Sequence, residues 1–291
     1  MKKQITIGLP FYNNQGTLEI AIKSILFQTF QNWELLLIND GSTDDSLNIA
    51  KKYAQLDNRI RLISDGENRG LVYRLNQIIE LSKNEFVARM DADDIMHPDR
   101  LLKQIDVFEK DFTIDIVATA AYSINEKNMP ISIRDNFPII ADRKKCLNNS
   151  LLIHPSILVK TQWYKKNNYN ADYLRAEDFE LWVRTISSTN FYRIQEPLLF
   201  YREGNVSLKN YKLTAKTRIL IYKNYSKGVL TNVEMKKEIM LIKLKVLVYQ
   251  IFSIFNLQFI LTKLRGKSIS SNNCEEAQKI IAQIENLYHT I

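Results

Sequence analysis

Through its first ~120 residues the chain alternates short apolar runs with stretches whose apolar positions recur every three or four residues. Ile5 to Pro10 reads as a buried strand. Thr17 to Gln28 carries Leu18, Ala21, Ile22, Ile25 and Leu26 at helical spacing. Strand-like runs follow at Leu35–Ile38, Ile60–Ile63, Phe86–Met90 and Ile114–Ala121. Helical patterns separate them at Asp44–Leu56, Leu71–Leu81 and Pro98–Lys110. Ser42 is placed to cap the second helix, and Pro98 suits a first helical turn, where its missing N–H costs nothing. This alternation predicts an α/β fold with a mixed, mainly parallel sheet and helices on both faces. From about Met129 the pattern blurs, apart from a helix at Glu177–Ser187 and a strand at Pro197–Arg202. Beyond Asn210 the chain reads as helical and basic. The expected organisation is therefore residues 1–120, residues 121–210 and a C-terminal helical region, 211–291.

Open α/β sheets bind ligands at the carboxyl ends of their strands. Four strand ends here are rich in polar or turn-forming residues: Pro10-Phe11-Tyr12-Asn13, Asn39-Asp40-Gly41-Ser42-Thr43-Asp44, Asn68-Arg69-Gly70 and Arg89-Met90-Asp91-Ala92-Asp93-Asp94. In an extended chain Arg89, Asp91 and Asp93 share one face. Two carboxylates beside a cation suit a hard divalent ion, Mn2+ or Mg2+, that meets a diphosphate. The competing reading is an acidic surface turn, and the apolar strand before it argues against that. Asp40 can accept the imide N–H of a uracil, although Asp-Gly also marks ordinary turns. Tyr12 can stack on a base or ribose; Pro10 to Asn13 can equally be strand-end punctuation.

Together these four segments resemble the nucleotide-binding signature of family 2 glycosyltransferases, inverting enzymes of GT-A (Rossmann-like) fold. The resemblance spans roughly residues 4–210. It implies that Asp40 contacts the base, Arg89 and Asp91 the nucleotide, Asp93 the metal, and that Arg74 lies near the base or diphosphate. Asn68 and Gly70 fall in the same nucleotide-binding set. Ala176-Glu177-Asp178-Phe179-Glu180-Leu181-Trp182 resembles the family's catalytic segment, with Asp178 matching the general base. Inversion by a single displacement needs such a carboxylate to take the acceptor hydroxyl's proton. Acids at a helix N-terminus are also favoured by the dipole alone. His154 in His154-Pro155-Ser156 is either an acceptor contact or a satisfied core histidine. Glu177 joins it on the acceptor side, and Trp182 is either a sugar wall or, from its spacing to Phe179, core. Tyr201-Arg202 resembles a segment that many members follow with His; here Glu203-Gly204-Asn205 follows, leaving water or Asn205 to fill that place.

The same resemblance implies a bacterial lipooligosaccharide or capsule enzyme, with a UDP-linked hexose or N-acetylhexosamine as donor. A saccharide or glycolipid is the implied acceptor. Composition adds one thing: charge is uneven. Residues 1–210 hold 27 Lys+Arg and 27 Asp+Glu, whereas 211–291 hold 13 against 5. Ile239 to Arg265 is dense in apolar residues flanked by Lys243, Lys245, Lys263 and Arg265. That pattern fits either peripheral membrane contact or a helical pair packed on the domain or in a homodimer. Cys146 and Cys274 lack metal or redox spacing, and no leader-like run opens the sequence. A cytoplasmic enzyme, at the inner face of the membrane if the tail binds lipid, is therefore expected. Nucleic acid is not an expected partner, since no aromatic-basic platform is present. A silent nucleotide-sugar-binding module would be expected to lack Asp93 or Asp178, and both are present. A metal-dependent nucleotidyltransferase would show a glycine-rich loop that Pro10 to Gly16 lacks.

Overall fold

A computed structural model describes residues 4–148, 150–204, 206–255, 257 and 266–288. Its strands are β1 (Ile5–Phe11), β2 (Trp33–Asn39), β3 (Ile60–Ser64), β4 (Phe86–Arg89), β5 (Ile95–Met96), β6 (Ile116–Ile124), β7 (Pro130–Arg134), β8 (Leu158–Lys160), β9 (Phe191–Arg202) and β10 (Lys267–Ser268). Its helices are α1 (Leu18–Leu26), α2 (Ser46–Leu56), α3 (Leu71–Leu81), α4 (Arg100–Lys110), α5 (Arg143–Asn148), α6 (Thr161–Lys166), α7 (Glu177–Thr185), α8 (Leu208–Tyr225), α9 (Asn232–Ile254) and α10 (Ser271–Glu285).

The strands form one sheet in the order β10-β7-β6-β8-β4-β1-β2-β3, with β9 joined to β6 and β5. β4, β1, β2 and β3 run parallel, as the βα alternation requires. β7, β8 and β10 pair antiparallel with their neighbours. Every residue of β1 is buried, the mark of a central parallel strand covered on both faces. Alternation within β2 divides the core. Leu35 and Leu37 pack with Leu18, Ile22 and Ile25 of α1 and Leu101 and Phe108 of α4. Leu36 and Ile38 pack with Leu75 and Ile78 of α3 and, farther along the same layer, with Trp182 of α7 and Tyr222 of α8.

The expected α/β sheet is therefore present, with three local differences. The N-cap of α2 is Asp45, not Ser42, whose hydroxyl instead accepts the Asn13 N–H. Helix α4 begins at Arg100, two residues past Pro98. Strand β9 begins six residues before Pro197, because Phe191 to Ile194 pair with Ile116 to Thr119 of β6.

The basic tail packs on the domain. Ile221 and Tyr222 of α8 are buried in the α3/α7 core layer, and Ile239 and Ile242 of α9 pack against it. Tyr225 at the end of α8 donates its hydroxyl to Glu180 of α7 (2.6 Å). Thr231 and Glu234 form a reciprocal capping box at the start of α9. Helix α10 returns to the far side, burying Ala277, Ile281 and Ile284 beside Tyr122 and Phe200. No helix among the described residues is long and apolar enough to cross a membrane. Lys263 and Arg265, named above in the tail, lie outside the described residues, as does Asn205.

Candidate active site

The carboxyl ends of β1, β2 and β4 converge, and their loops are tied to one another. Asn13, held at φ 52°, accepts from the Thr43 N–H through its side chain, and Asn14 N donates to Ser46 Oγ. The Asn13 Oδ1 latches two loops, and its neighbour Tyr12 is about half exposed (47%). Pro10 lies buried within β1. It shapes the strand end.

Asp40 sits at the end of β2 and is buried. Its carboxylate accepts from the backbone N–H groups of Arg69 (2.8 Å) and Gly70 (3.0 Å) and from Arg74 Nε (2.8 Å). The two loops approach closely. A Cβ on Gly41, whose φ is +73°, would lie 2.7 Å from the Asn68 backbone nitrogen. Only glycine fits that crossing. Arg74 is wholly buried, and its other donors go to both oxygens of Asp65, to Gln77 and to the Glu67 carbonyl. None of its five N–H groups is left for a base or diphosphate. Arg74 therefore acts through Asp40, as a positioning residue. Asn68 is exposed, and Gly70 contributes its backbone N–H rather than a ligand contact.

At the end of β4 the chain turns. Arg89 is buried and holds Asp91 in a bidentate pair, both N···O distances 2.5 Å. That pairing pushes the guanidinium's pKa upward against burial. Arg100 braces the strand end by donating to the carbonyls of Arg89 (3.0 Å) and Ile157 (3.1 Å). Residues 90–94 are not extended, so it is a turn, rather than strand periodicity, that gathers the acids. Asp91, Asp93 and Asp94 each offer an oxygen within 4.8 Å of the others. Burial and the Asp91 charge raise Asp93 to about 6, and burial with the Asp93 and Asp91 charges raises Asp94 well above the usual carboxylate range. Asp94 Oδ1 accepts the Arg202 N–H (2.8 Å), while its Oδ2 is buried with no partner among the described residues. Crowded carboxylates with an orphaned buried oxygen fit a hard divalent cation. Asp94, which the sequence reading left out of the site, belongs to this set; three acids in four residues was the available signal. Arg202 spends its side chain on the carbonyls of Asp93 and Asn125 and on Asn128 Oδ1.

Glu177 and Asp178 open α7. Their approach is set by Arg175, in the left-handed region at φ 64°. Burial, then the neighbouring Asp178, raises Glu177 to about 7; Asp178 is raised as well. The Arg89 cation opposes the rise on Glu177, Asp178, Asp93 and Asp94 alike. Two acceptor-side expectations are corrected. Trp182 is fully buried against Phe191 and His154, because its helical spacing from Phe179 turns it inward, so it cannot stack on a sugar. His154 is buried and bonded to the Tyr169 hydroxyl (2.6 Å), with burial and Arg89 holding its pKa low. It is a neutral, satisfied core residue.

The family profile described as glycosyl transferase family 2 matches residues 6–168. EpsE of Bacillus subtilis (strain 168), itself a provisionally assigned glycosyltransferase, is 31% identical over 228 residues, covering 75% of this chain and 81% of EpsE. The O-antigen biosynthesis glycosyltransferase WbnJ of Escherichia coli is 30% identical over 214 residues, covering 70% and 81%. Among solved structures, residues 1–349 of S. aureus TarS in complex with UDP superpose with a TM-score of 0.59 at 16% identity, covering 81% of this chain and 69% of that one. The mannosyltransferase PcManGT of Pyrobaculum calidifontis, in complex with GDP-Man and Mn2+, gives 0.60 at 13% identity and covers 100% of this chain and 89% of that one. These neighbours have the GT-A fold.

Proposed function

Because the chain belongs to glycosyl transferase family 2, we propose that it is a metal-dependent, inverting transferase that moves one sugar from a UDP-sugar, a hexose or N-acetylhexosamine, to a saccharide or lipid-linked saccharide during bacterial surface-polysaccharide synthesis. The observation that supports this most is the acidic turn after β4. Asp91, Asp93 and Asp94 offer oxygens within 4.8 Å of one another, and the Arg89 that pairs with Asp91 also opposes the pKa rise of Glu177 and Asp178. The WbnJ relationship supports the polysaccharide role, and the TarS–UDP complex supports the donor class.

In this reading Tyr12 stacks on the base and Asp40 accepts its imide N–H. Arg69 N, Gly70 N and Arg74 hold the Asp40 carboxylate in place. Asp91, Asp93 and Asp94 hold a divalent ion, Mn2+ as in the PcManGT complex or Mg2+. When bound, that ion supplies the Lewis acidity that stabilises the departing diphosphate. Asp178 accepts the proton of the acceptor hydroxyl as that oxygen forms its bond to the anomeric carbon and the bond to the diphosphate oxygen breaks. Burial raises its pKa, which strengthens it as a base. Glu177 lies beside it on the acceptor side. The enzyme works at the cytoplasmic face of the membrane, with α9 turned toward lipid.

The test is thermal stabilisation by UDP, GDP and dTDP with and without Mn2+, followed by a donor-hydrolysis screen. UDP with Mn2+ should stabilise most. Asp93→Ala should remove the metal-dependent part, and Asp178→Asn should keep UDP binding while losing transfer. UDP binding that ignores Mn2+, or near-normal turnover by Asp178→Asn, overturns the reading. Binding without any transfer to any acceptor or water would instead identify a silent nucleotide-sugar-binding module.

A further inference from the structure

Helix α8 makes a kind of contact that anchoring a tail does not require. Ile221 and Tyr222 already bury it in the core layer behind α7. Such apolar contact is non-directional and leaves a helix free to settle by small slides and rotations. It is also incomplete here. A cavity of about 1220 Å³ remains between α7, α8 and α9, with Leu174, Arg175, Glu177 and Arg218 on its wall. Close packing therefore does not fix how the start of α7 sits.

Side chains on one side of α8 do. Thr217 and Arg218 lie about two turns before Asn224 and Tyr225, so they share that side. The Thr217 hydroxyl donates to the Leu174 carbonyl (2.9 Å). Asn224 Nδ2 donates to the Tyr173 hydroxyl (2.9 Å), and the Tyr173 and Tyr225 rings pack with centroids 6.2 Å apart. The Arg218 guanidinium lies over the Phe179 ring, 4.5 Å from its centroid. Tyr225 donates its hydroxyl to Glu180, whose fully buried carboxylate also accepts from Arg184 Nε (2.7 Å). The segment from Arg175 to Asp178 is thus held just before its start and just after its end. Within it stands the left-handed backbone of Arg175, at φ 64°. A residue with a Cβ keeps that conformation only where its surroundings impose it. The Arg175 side chain is exposed, so the constraint comes through its chain neighbours, Tyr173 and Leu174 before it and Phe179 and Glu180 after.

We infer that α8 is a clamp on the acids of α7: Thr217, Asn224 and Tyr225 are positioning residues that act through Leu174, Tyr173 and Glu180 to hold Asp178 where it meets the acceptor oxygen. The inference rests on the transferase reading above, in which Asp178 takes that oxygen's proton. It gives the C-terminal helix a part in turnover and none in donor binding, since Asp40, Asp91, Asp93 and Asp94 sit on other elements. A misplacement of ~1 Å at a reacting group costs on the order of a hundredfold in rate, so a small release of the clamp is measurable.

The test uses the full chain with Mn2+ and, as donor, whichever of UDP-glucose and UDP-N-acetylglucosamine it hydrolyses faster. Water then stands in for the acceptor hydroxyl. Turnover is counted per UDP-binding site from calorimetry, so unfolded protein does not enter. Thr217→Val and Tyr225→Phe each remove one hydroxyl and little volume. Each should lower kcat about tenfold, and the pair about a hundredfold, with donor KM and UDP affinity within about twofold of wild type. Thr217→Ser keeps the hydroxyl and should restore kcat. Thr214→Val is the control: the Thr214 hydroxyl donates to the Asn210 carbonyl of α8 itself (3.1 Å), and its loss should leave kcat unchanged. Wild-type kcat in the Thr217→Val/Tyr225→Phe pair overturns the clamp. An equal fall in Thr214→Val or in Thr217→Ser also overturns it, as general loosening of α8, and so does a loss carried by KM or UDP affinity. Asp178→Asn is run beside them. If it is inactive while the pair is normal, only the clamp falls. If wild type hydrolyses neither donor, or Asp178→Asn hydrolyses as wild type does, the transferase reading falls first and the clamp with it.

Discussion

Arg74→Met separates a positioning residue from a ligand contact. The side chain is wholly buried, with five N–H donors on Asp40, Asp65, Gln77 and the Glu67 carbonyl. Methionine fills similar space without charge. Of the two carboxylates it strands, Asp65 is solvated and loses little. Asp40 is buried and keeps only the backbone N–H groups of Arg69 and Gly70. Stranding one member of a buried pair costs ~3–5 kcal/mol; with one of the two acids in water the lower figure applies, about 3 kcal/mol. For a chain of this size that is a fall of about 5 °C in Tm. UDP binding should weaken about tenfold, the equivalent of ~1.4 kcal/mol, because the carboxylate proposed to meet the base loses its orientation. Adding Asp40→Asn removes the stranded charge, so the double variant should recover about 1 kcal/mol of stability while UDP binding stays weak. Urea unfolding of the four proteins in the cycle, beside UDP calorimetry, reads both quantities. If Arg74→Met melts with wild type, or if the two changes add without coupling, the buried guanidinium is not what sets Asp40.

Gly41→Ala forces a left-handed alanine, ~1–2 kcal/mol, into contact with the Asn68 backbone. It should lower Tm and UDP affinity together, whereas Gly16→Ala, with open space around it, should do neither. Glu177 is raised to about 7 in the fold. The unfolded chain therefore releases this proton at lower pH, and the associated stability is lost as pH rises from about 4.5 to 7. Glu177→Gln should thus melt with wild type at pH 4.5 and up to about 5 °C above it at pH 8; a gain confined to acid pH would reverse the assignment. Trp182→Phe should lower Tm and leave the acceptor KM unchanged, and a raised KM at unchanged Tm would restore the stacking role that burial argues against.

The parallel half of the sheet was legible because each strand carries its own apolar run and each helix its own stripe, as in Ile5–Phe11 and Leu18–Leu26. The second half was not. Strands β5, β8 and β10 are two or three residues long and exist only through their partners, Phe200, Val87 and Ile133 among them. The motif residues were readable by type, but their division of labour was not. Arg74 and Arg89 look alike in the sequence. One is spent inside a loop, and the other faces the acids. Arg100, which burial lowers to about 9, gave no sign of ending in the core, since besides Gln104 its partners are the carbonyls of Arg89 and of the distant Ile157. The tail's basic bias was legible, and that its inner face walls a cavity was not.

Arg202 closes the acidic turn from a position more than a hundred residues downstream, through bonds to Asp93 and Asp94. A nascent chain therefore emerges from the ribosome with Asp91 already held by Arg89 but with the Asp94 carboxylate still lacking the Arg202 N–H. The acidic turn is therefore completed only once translation has passed β9.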